Sequence, residues 1–276
     1  MGGPQGSASG SVSLIDTQQA HQENSPLNAW RLNWTVSHSD TLDLIREGQF
    51  VGDLESVVEP LRSIDWEDTS SVEETCRKAL EQLNTNRGIL RKALYDLPNR
   101  PELLALCEHP SPVDTAELGQ QLDKLVLYED ETGFRVRMHI FWSGCDDLPH
   151  NHRWSFASMI LKGQFRHLLY GLETYEDTMQ LPIPKPLQVR IERVGSIYAL
   201  HHSMLHALVA EENAVSLFIR GPVVKERGYL VDPKTGKRIW HLGVAEETPE
   251  AIARKRMTPE LLSELTAKLD EWGILG

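Results

Sequence analysis

The reading of this chain turns on Gly144-Cys-Asp-Asp-Leu-Pro-His150-Asn-His152-Arg-Trp-Ser-Phe156-Ala-Ser-Met-Ile-Leu-Lys-Gly163. Residues i and i+2 of an extended strand face the same side, so His150 and His152 can converge on one metal ion. Pro149 sets their approach, and Asp146-Asp147 marks a loop entering a strand. Two histidines this close also occur as surface residues, so the weight rests on what surrounds them. Far downstream, Tyr198-Ala-Leu-His201-His202-Ser-Met-Leu-His206 offers further imidazoles that a neighbouring strand can turn inward. His206 is favoured as the third ligand, because Ala207 to Ala210 and Ala214 to Phe218 read as paired strands after it. His202 and His201 remain alternatives.

Around this stretch the chain has an all-β character. Leu125 to Tyr128, Phe134 to Phe141, Ser155 to Lys162, Phe165 to Tyr170, Leu187 to Val194, Ser196 to His201, Met204 to Ala210 and Ala214 to Arg220 are short and often alternating. Most are separated by Gly, Pro, Asp or Asn. Gly221-Pro222 closes the run, and Val224 to Leu230 with Lys237 to Leu242 form a late hairpin around Pro233 to Gly236.

Outside that block the pattern is helical. A weak helix is expected within 38–66, with Val57, Val58 and Leu61 on one face. Ser70 to Leu97 is stronger: Ser70 or Ser71 precedes Glu73 and Glu74 as in a capping box, and a break falls between Asn84 and Gly88. A short helix follows at Glu102 to Cys107. Pro259 opens a last helix, whose Leu261, Leu262, Leu265 and Leu269 form one stripe. The expected divisions are a disordered arm (1–25), a helical N-terminal region (26–113), a β barrel (114–245) and a C-terminal helical segment (246–276).

Composition narrows the partners. Of 276 residues, 28 are Lys or Arg and 40 are Asp or Glu, a formal charge of -12. That balance opposes general binding to nucleic acid or anionic lipid. No apolar run is long enough to span a membrane, and the Gly/Ser-rich start has no signal-peptide pattern. The three cysteines, Cys76, Cys107 and Cys145, have neither disulfide-framework nor metal-knuckle spacing. They are read as free thiols, and the chain is expected to be soluble and cytoplasmic.

These motifs, taken in order, resemble the cupin superfamily and within it the cysteine dioxygenase-like thiol dioxygenases. The resemblance covers about Leu125 to Pro222. It rests on Met138 to Gly144 leading into His150-Asn151-His152, on the turn Leu161-Lys162-Gly163, and on His206 followed by Ala214 to Pro222. It implies a mainly β fold, a cupin-type double-stranded β-helix barrel with helices at both ends. It also implies Fe(II) on His150, His152 and His206. A general cupin carries a glutamate ligand four or five positions past its second histidine. Here those positions are Phe156 and Ala157, which fits the neutral three-histidine site of the thiol dioxygenases. The chain departs from that family in two places. No cysteine for a tyrosine crosslink is evident, and the strand expected to carry the substrate-clamping arginine, Leu125 to Tyr128, has none.

Three imidazoles on Fe(II) leave positions for a bidentate thiol and for dioxygen. The expected activity is therefore oxidation of a small thiol or cysteine-like amino compound by an iron dioxygenase. The ligands alone also suit a Zn- or Ni-dependent hydrolase or isomerase, or a non-enzymatic ligand-binding barrel. Candidate pocket residues are Arg137, Arg166 and Arg220, for a substrate carboxylate, and Tyr170 and Tyr198, for a hydrogen bond to substrate or oxygen. Arg135, His139 and His167 lie on the same strands. Trp142, Trp154 and Phe156 read as core or pocket wall, and Cys145 as a turn residue near the entrance.

Overall fold

A computed structural model describes residues 53–110, 122–142, 147–173, 178–241 and 247–276. The expected arm at 1–25, with Gly144 and Cys145, lies outside the described residues. The chain divides into Met1–Phe50 and Val51–Gly276, and everything described belongs to the second unit.

Helices come first: α1 (Leu54–Val58), α2 (Thr69–Thr85), α3 (Arg87–Asp96) and α4 (Pro101–Leu104). The N-cap of α2 is Asp68 rather than Ser70 or Ser71. Its side chain accepts the Ser70 N–H at 3.0 Å, which satisfies an otherwise unpaired first-turn donor two residues earlier than the capping-box pattern suggested. The helix breaks at Asn86, within the expected Asn84–Gly88 interval. Two helices end the chain, α5 (Pro249–Arg254) and α6 (Pro259–Glu271), each opened by a threonine cap and a proline.

Between them run ten strands: β1 (Leu122–Glu129), β2 (Arg135–Phe141), β3 (Phe156–Lys162), β4 (Gln164–Leu172), β5 (Gln188–Arg193), β6 (Ile197–Leu200), β7 (Met204–Ala210), β8 (Ala214–Arg220), β9 (Gly228–Val231) and β10 (Arg238–His241). One sheet has the order β1-β2-β8-β3-β6, a second β5-β4-β7, and β9 pairs with β10; all of these pairings are antiparallel. The Pro149–Asn151 segment lies between β7 and β9, through bridges from His150 to His206 and to Leu230.

The five-stranded sheet is buried on both faces, so β8 is apolar nearly throughout. On one face Met138, Ile140, Met159, Leu217 and Ile219 pack with Leu80, Leu83, Leu90, Leu94, Leu262 and Leu265 of α2, α3 and α6. On the other, Phe141, Phe156, Ile160, Tyr198 and Phe218 meet Phe165, Leu208 and Ala210 of the second sheet. The leucine stripe expected on the last helix is what seats it on the outer core. Arg91 of α3 pairs with Asp270 of α6 at 2.6 Å.

Two glycines set the geometry. Gly163, between β3 and β4, has φ +74, and a Cβ there would lie 2.9 Å from that of Ala214. At Gly221 a Cβ would lie 2.5 Å from the Trp66 ring, so the loop before α2 closes directly onto the barrel backbone. Among the described residues, no helix is long and apolar enough to cross a membrane.

Candidate metal centre

Strand register brings three imidazoles together. His150 and His206 exchange backbone hydrogen bonds, each 2.8 Å, so they face each other across the antiparallel pair and project to one side. His152, two residues on, shares that side. Asn151 points the opposite way: its amide nitrogen donates to Glu173, and its oxygen accepts the Tyr229 N–H at 2.8 Å. An asparagine between the histidines thus anchors the segment that carries them. One ring nitrogen of each of His150, His152 and His206 lies within 4.8 Å of the other two.

The ring chemistry fits a metal. A carbonyl can only accept, so the 2.8 Å contact between His150 Nδ1 and the Leu148 oxygen places the His150 proton on Nδ1 and leaves Nε2 as a lone pair. The Nε2 atoms of His152 and His206 are 2.9 Å apart. Two ligands about 2.0–2.1 Å from one metal are separated by about 2.9–3.4 Å between octahedral and tetrahedral angles. Burial, and then the neighbouring His150, hold His152 and His206 well below their ordinary titration range. Both are neutral at pH 7, as a ligand must be. His150, His152 and His206 can therefore hold a metal ion, and Phe156, where a glutamate ligand would stand, packs edge-on to His152 at 4.9 Å.

His201 and His202, the alternative third ligands, turn away from this cluster. Their Nε2 atoms lie 3.3 and 3.1 Å from Glu67. Ser203 N–H donates to His201 Nδ1, which leaves His201 Nε2–H for the Glu67 carboxylate. Glu67 ties that second grouping together through the two Nε2 atoms, while His202 Nδ1 is buried without a hydrogen-bond partner.

A cluster of buried cationic side chains adjoins the triad. Trp154 stacks on His152 at 5.7 Å, and the guanidinium carbons of Arg220 and Arg137 lie 4.6 and 6.0 Å from the Trp154 ring. Arg137 and Arg220 are 8% and 4% exposed, yet neither has a carboxylate within ion-pair distance among the described residues. Arg135, by contrast, pairs with Glu129. Burial, then the repulsion of Arg137 and Arg135, brings Arg220 down to about 8. Burial and Arg135 bring Arg137 to about 10. The Nε of each arginine, Trp154 Nε1 and His139 Nε2 are all buried without a hydrogen-bond partner. Phe218 stacks on both His139 and Phe156 at 4.6 Å, so one aromatic wall links this cluster to the triad.

The remaining sequence candidates fall in different places. Tyr198 is buried, with its ring 4.6 Å from that of His167, and burial raises its hydroxyl well above the usual range. Tyr170 packs beside Leu181, Leu205 and Tyr229 rather than against the triad. Arg166 is exposed, because β4 alternates and its inward position goes to the neighbouring His167. His167 Nε2 lies 3.0 Å from His206 Nδ1, and its Nδ1 is 3.5 Å from Glu192. Glu192 was not anticipated as a site residue. Its signal was a lone acidic group within the alternating Gln188–Arg193 strand.

No protein-family model and no curated protein matches the sequence. Among solved structures, the chain is similar to an RmlC-like cupin from Shewanella frigidimarina (16% identity, TM-score 0.29, covering 37% of this chain and 77% of that one). It is also similar to KdgF from Halomonas sp. (16%, TM-score 0.28, 36% and 80%). A third likeness is to ectoine synthase from P. lautus (16%, TM-score 0.28, 37% and 64%). The strand order and register above show a strand-rich fold of facing antiparallel sheets with N-terminal helices and a C-terminal helix. It carries a three-histidine cluster able to bind a metal.

Proposed function

We propose that the protein is a non-haem iron(II) dioxygenase that oxidises a small thiol or cysteine-like amino compound carrying a carboxylate. The observation that carries this reading is the juxtaposition of three carboxylate-free imidazoles with two buried arginines that have no carboxylate partner among the described residues. Buried guanidinium groups with no carboxylate partner and an unpaired Nε are costly until an anion fills the space before them. Arg220 and Arg137 suit a carboxylate, since guanidinium and carboxylate match as parallel forks.

When bound, iron on three neutral imidazoles supplies a positive, redox-active centre with open coordination positions. The chain's own part is placement. Arg137 and Arg220 hold the carboxylate end, while the Trp154 ring spaces it from His152. Phe156 and Phe218 exclude water from the path between them. Dioxygen is both oxidant and oxygen donor, so the reaction asks for no external reductant.

The test incubates iron-loaded protein with thiols that have or lack a carboxylate, with and without air, and follows oxygen uptake and product mass. Thiol-dependent uptake is expected, with preference for the carboxylate-bearing compounds. Absence of uptake with every thiol, or zinc- or nickel-dependent turnover without oxygen, would refute the assignment.

A further inference from the structure

His206 differs from its neighbours in what stands behind it. His150 rests on a backbone carbonyl, whereas the outer nitrogen of His206 meets a second histidine. We propose that His167 and Glu192 are positioning residues that hold His206 in its metal-binding tautomer. This inference rests on the reading of His150, His152 and His206 as metal ligands.

The argument runs inward from Glu192. Its carboxylate is 3% exposed and can only accept. Oε1 lies 3.5 Å from His167 Nδ1, an electrostatic contact rather than a formed hydrogen bond, and 2.9 Å from Arg190 Nε. A His167 tautomer with a bare Nδ1 would set a lone pair against that oxygen in a dry interior, so the proton belongs on Nδ1. His167 Nε2 is then the acceptor, and its partner among the described residues is His206 Nδ1 at 3.0 Å. His206 must therefore carry its proton on Nδ1, which leaves Nε2 bare toward His152 Nε2, the position a metal would occupy. The opposite arrangement puts a proton on His206 Nε2 and removes it as a ligand. One buried acceptor thus selects the ligating tautomer two residues away, through side chains that β5, β4 and β7 all turn inward. His167 is fully buried, and the Tyr198 ring packs on it at 4.6 Å, closing the relay to water. Outer partners of metal-bound imidazoles fix the ring and raise ligand basicity, which is the role this pair takes behind His206.

The experiment measures Zn²⁺ affinity of the full chain by competition with a chromophoric chelator. It also records the visible absorption of the Co²⁺ form. Urea unfolding of each metal-free variant verifies the fold. H167F should weaken Zn²⁺ binding about 10- to 100-fold and alter the Co²⁺ bands. H167Q should recover most of the loss, since its side-chain oxygen can accept the His206 N–H. E192L should weaken binding in the same direction as H167F. Wild-type affinity in folded H167F or E192L would overturn the proposal. So would a loss in H167Q as large as in H167F, which would point to packing alone. H206A is the control: if it too bound Zn²⁺ like the wild type, the metal-site reading itself would fall.

Discussion

Replacing Arg220 with methionine should make the metal-free, substrate-free protein more stable while impairing substrate binding. The guanidinium is 4% exposed and makes one hydrogen bond, to the Gly221 carbonyl at 3.0 Å. Burial and the nearby Arg137 and Arg135 bring it from 12.5 to about 8. At about 1.36 kcal/mol per unit, that depression corresponds to a penalty of at most about 6 kcal/mol. Its cation–π contact with Trp154 offsets about 2 kcal/mol of this, and methionine keeps most of the packing of the aliphatic stem. A net gain of about 2–4 kcal/mol is expected for Arg220→Met, in the range seen when buried charges give way to apolar groups. Each kcal/mol is worth about 2–4 °C in Tm for a chain of this size. The sign follows from the direction of the shift. Below about 8 both folded and unfolded chains are protonated, so the full penalty acts at pH 7. Urea unfolding at pH 7, done without metal, measures this. Equilibrium binding of a carboxylate-bearing thiol to the metal-bound form measures the cost. A variant destabilised by more than about 1 kcal/mol, or binding that thiol as tightly as the wild type, would refute the reading of Arg220 as an unpaired anion-binding group.

The triad makes its own demand: alanine at His150, His152 or His206 should remove most bound metal in elemental analysis, whereas His202→Ala should retain it. Gly221→Ala should cost about 1–3 kcal/mol, because its Cβ would meet the Trp66 ring at 2.5 Å; unchanged urea unfolding would contradict that contact. Glu108 lies between Lys124 at 2.8 Å and Lys255 at 3.9 Å. Burial alone would raise its carboxyl, but the two lysines outweigh burial and bring it from 4.5 to about 2. Above pH 4.5 the pair therefore adds up to about 3 kcal/mol, lost as pH falls toward 2. Glu108→Gln should be less stable than wild type at pH 6 and converge with it near pH 2 in acid titrations followed by circular dichroism.

Much of this protein was legible in one dimension. Short alternating strands between turn residues are a local property of the chain, as are the leucine stripe of α6 and the break near Asn86. His150 and His152 could be paired from sequence because strand periodicity alone puts them on one side. The choice between His202 and His206 was not local: both have the same parity relative to each other. The structure separates them because β7 begins at Met204, so His206 lies within the strand opposite His150 while His202 remains in the turn beside Glu67. Arg166 and His167 show the same limit, since the Gly163 turn sets which of two adjacent residues points inward. The absence of a carboxylate after His152 could be read directly, but the buried Glu192 is linked to His206 only through pairings across β5, β4 and β7. Nor does any sequence pattern announce that, among the described residues, Arg137 and Arg220 lack a carboxylate partner while Arg135 has one. Composition and periodicity determine which strands exist and which way their side chains alternate; only cross-strand register, a long-range property, decides which of those side chains meet.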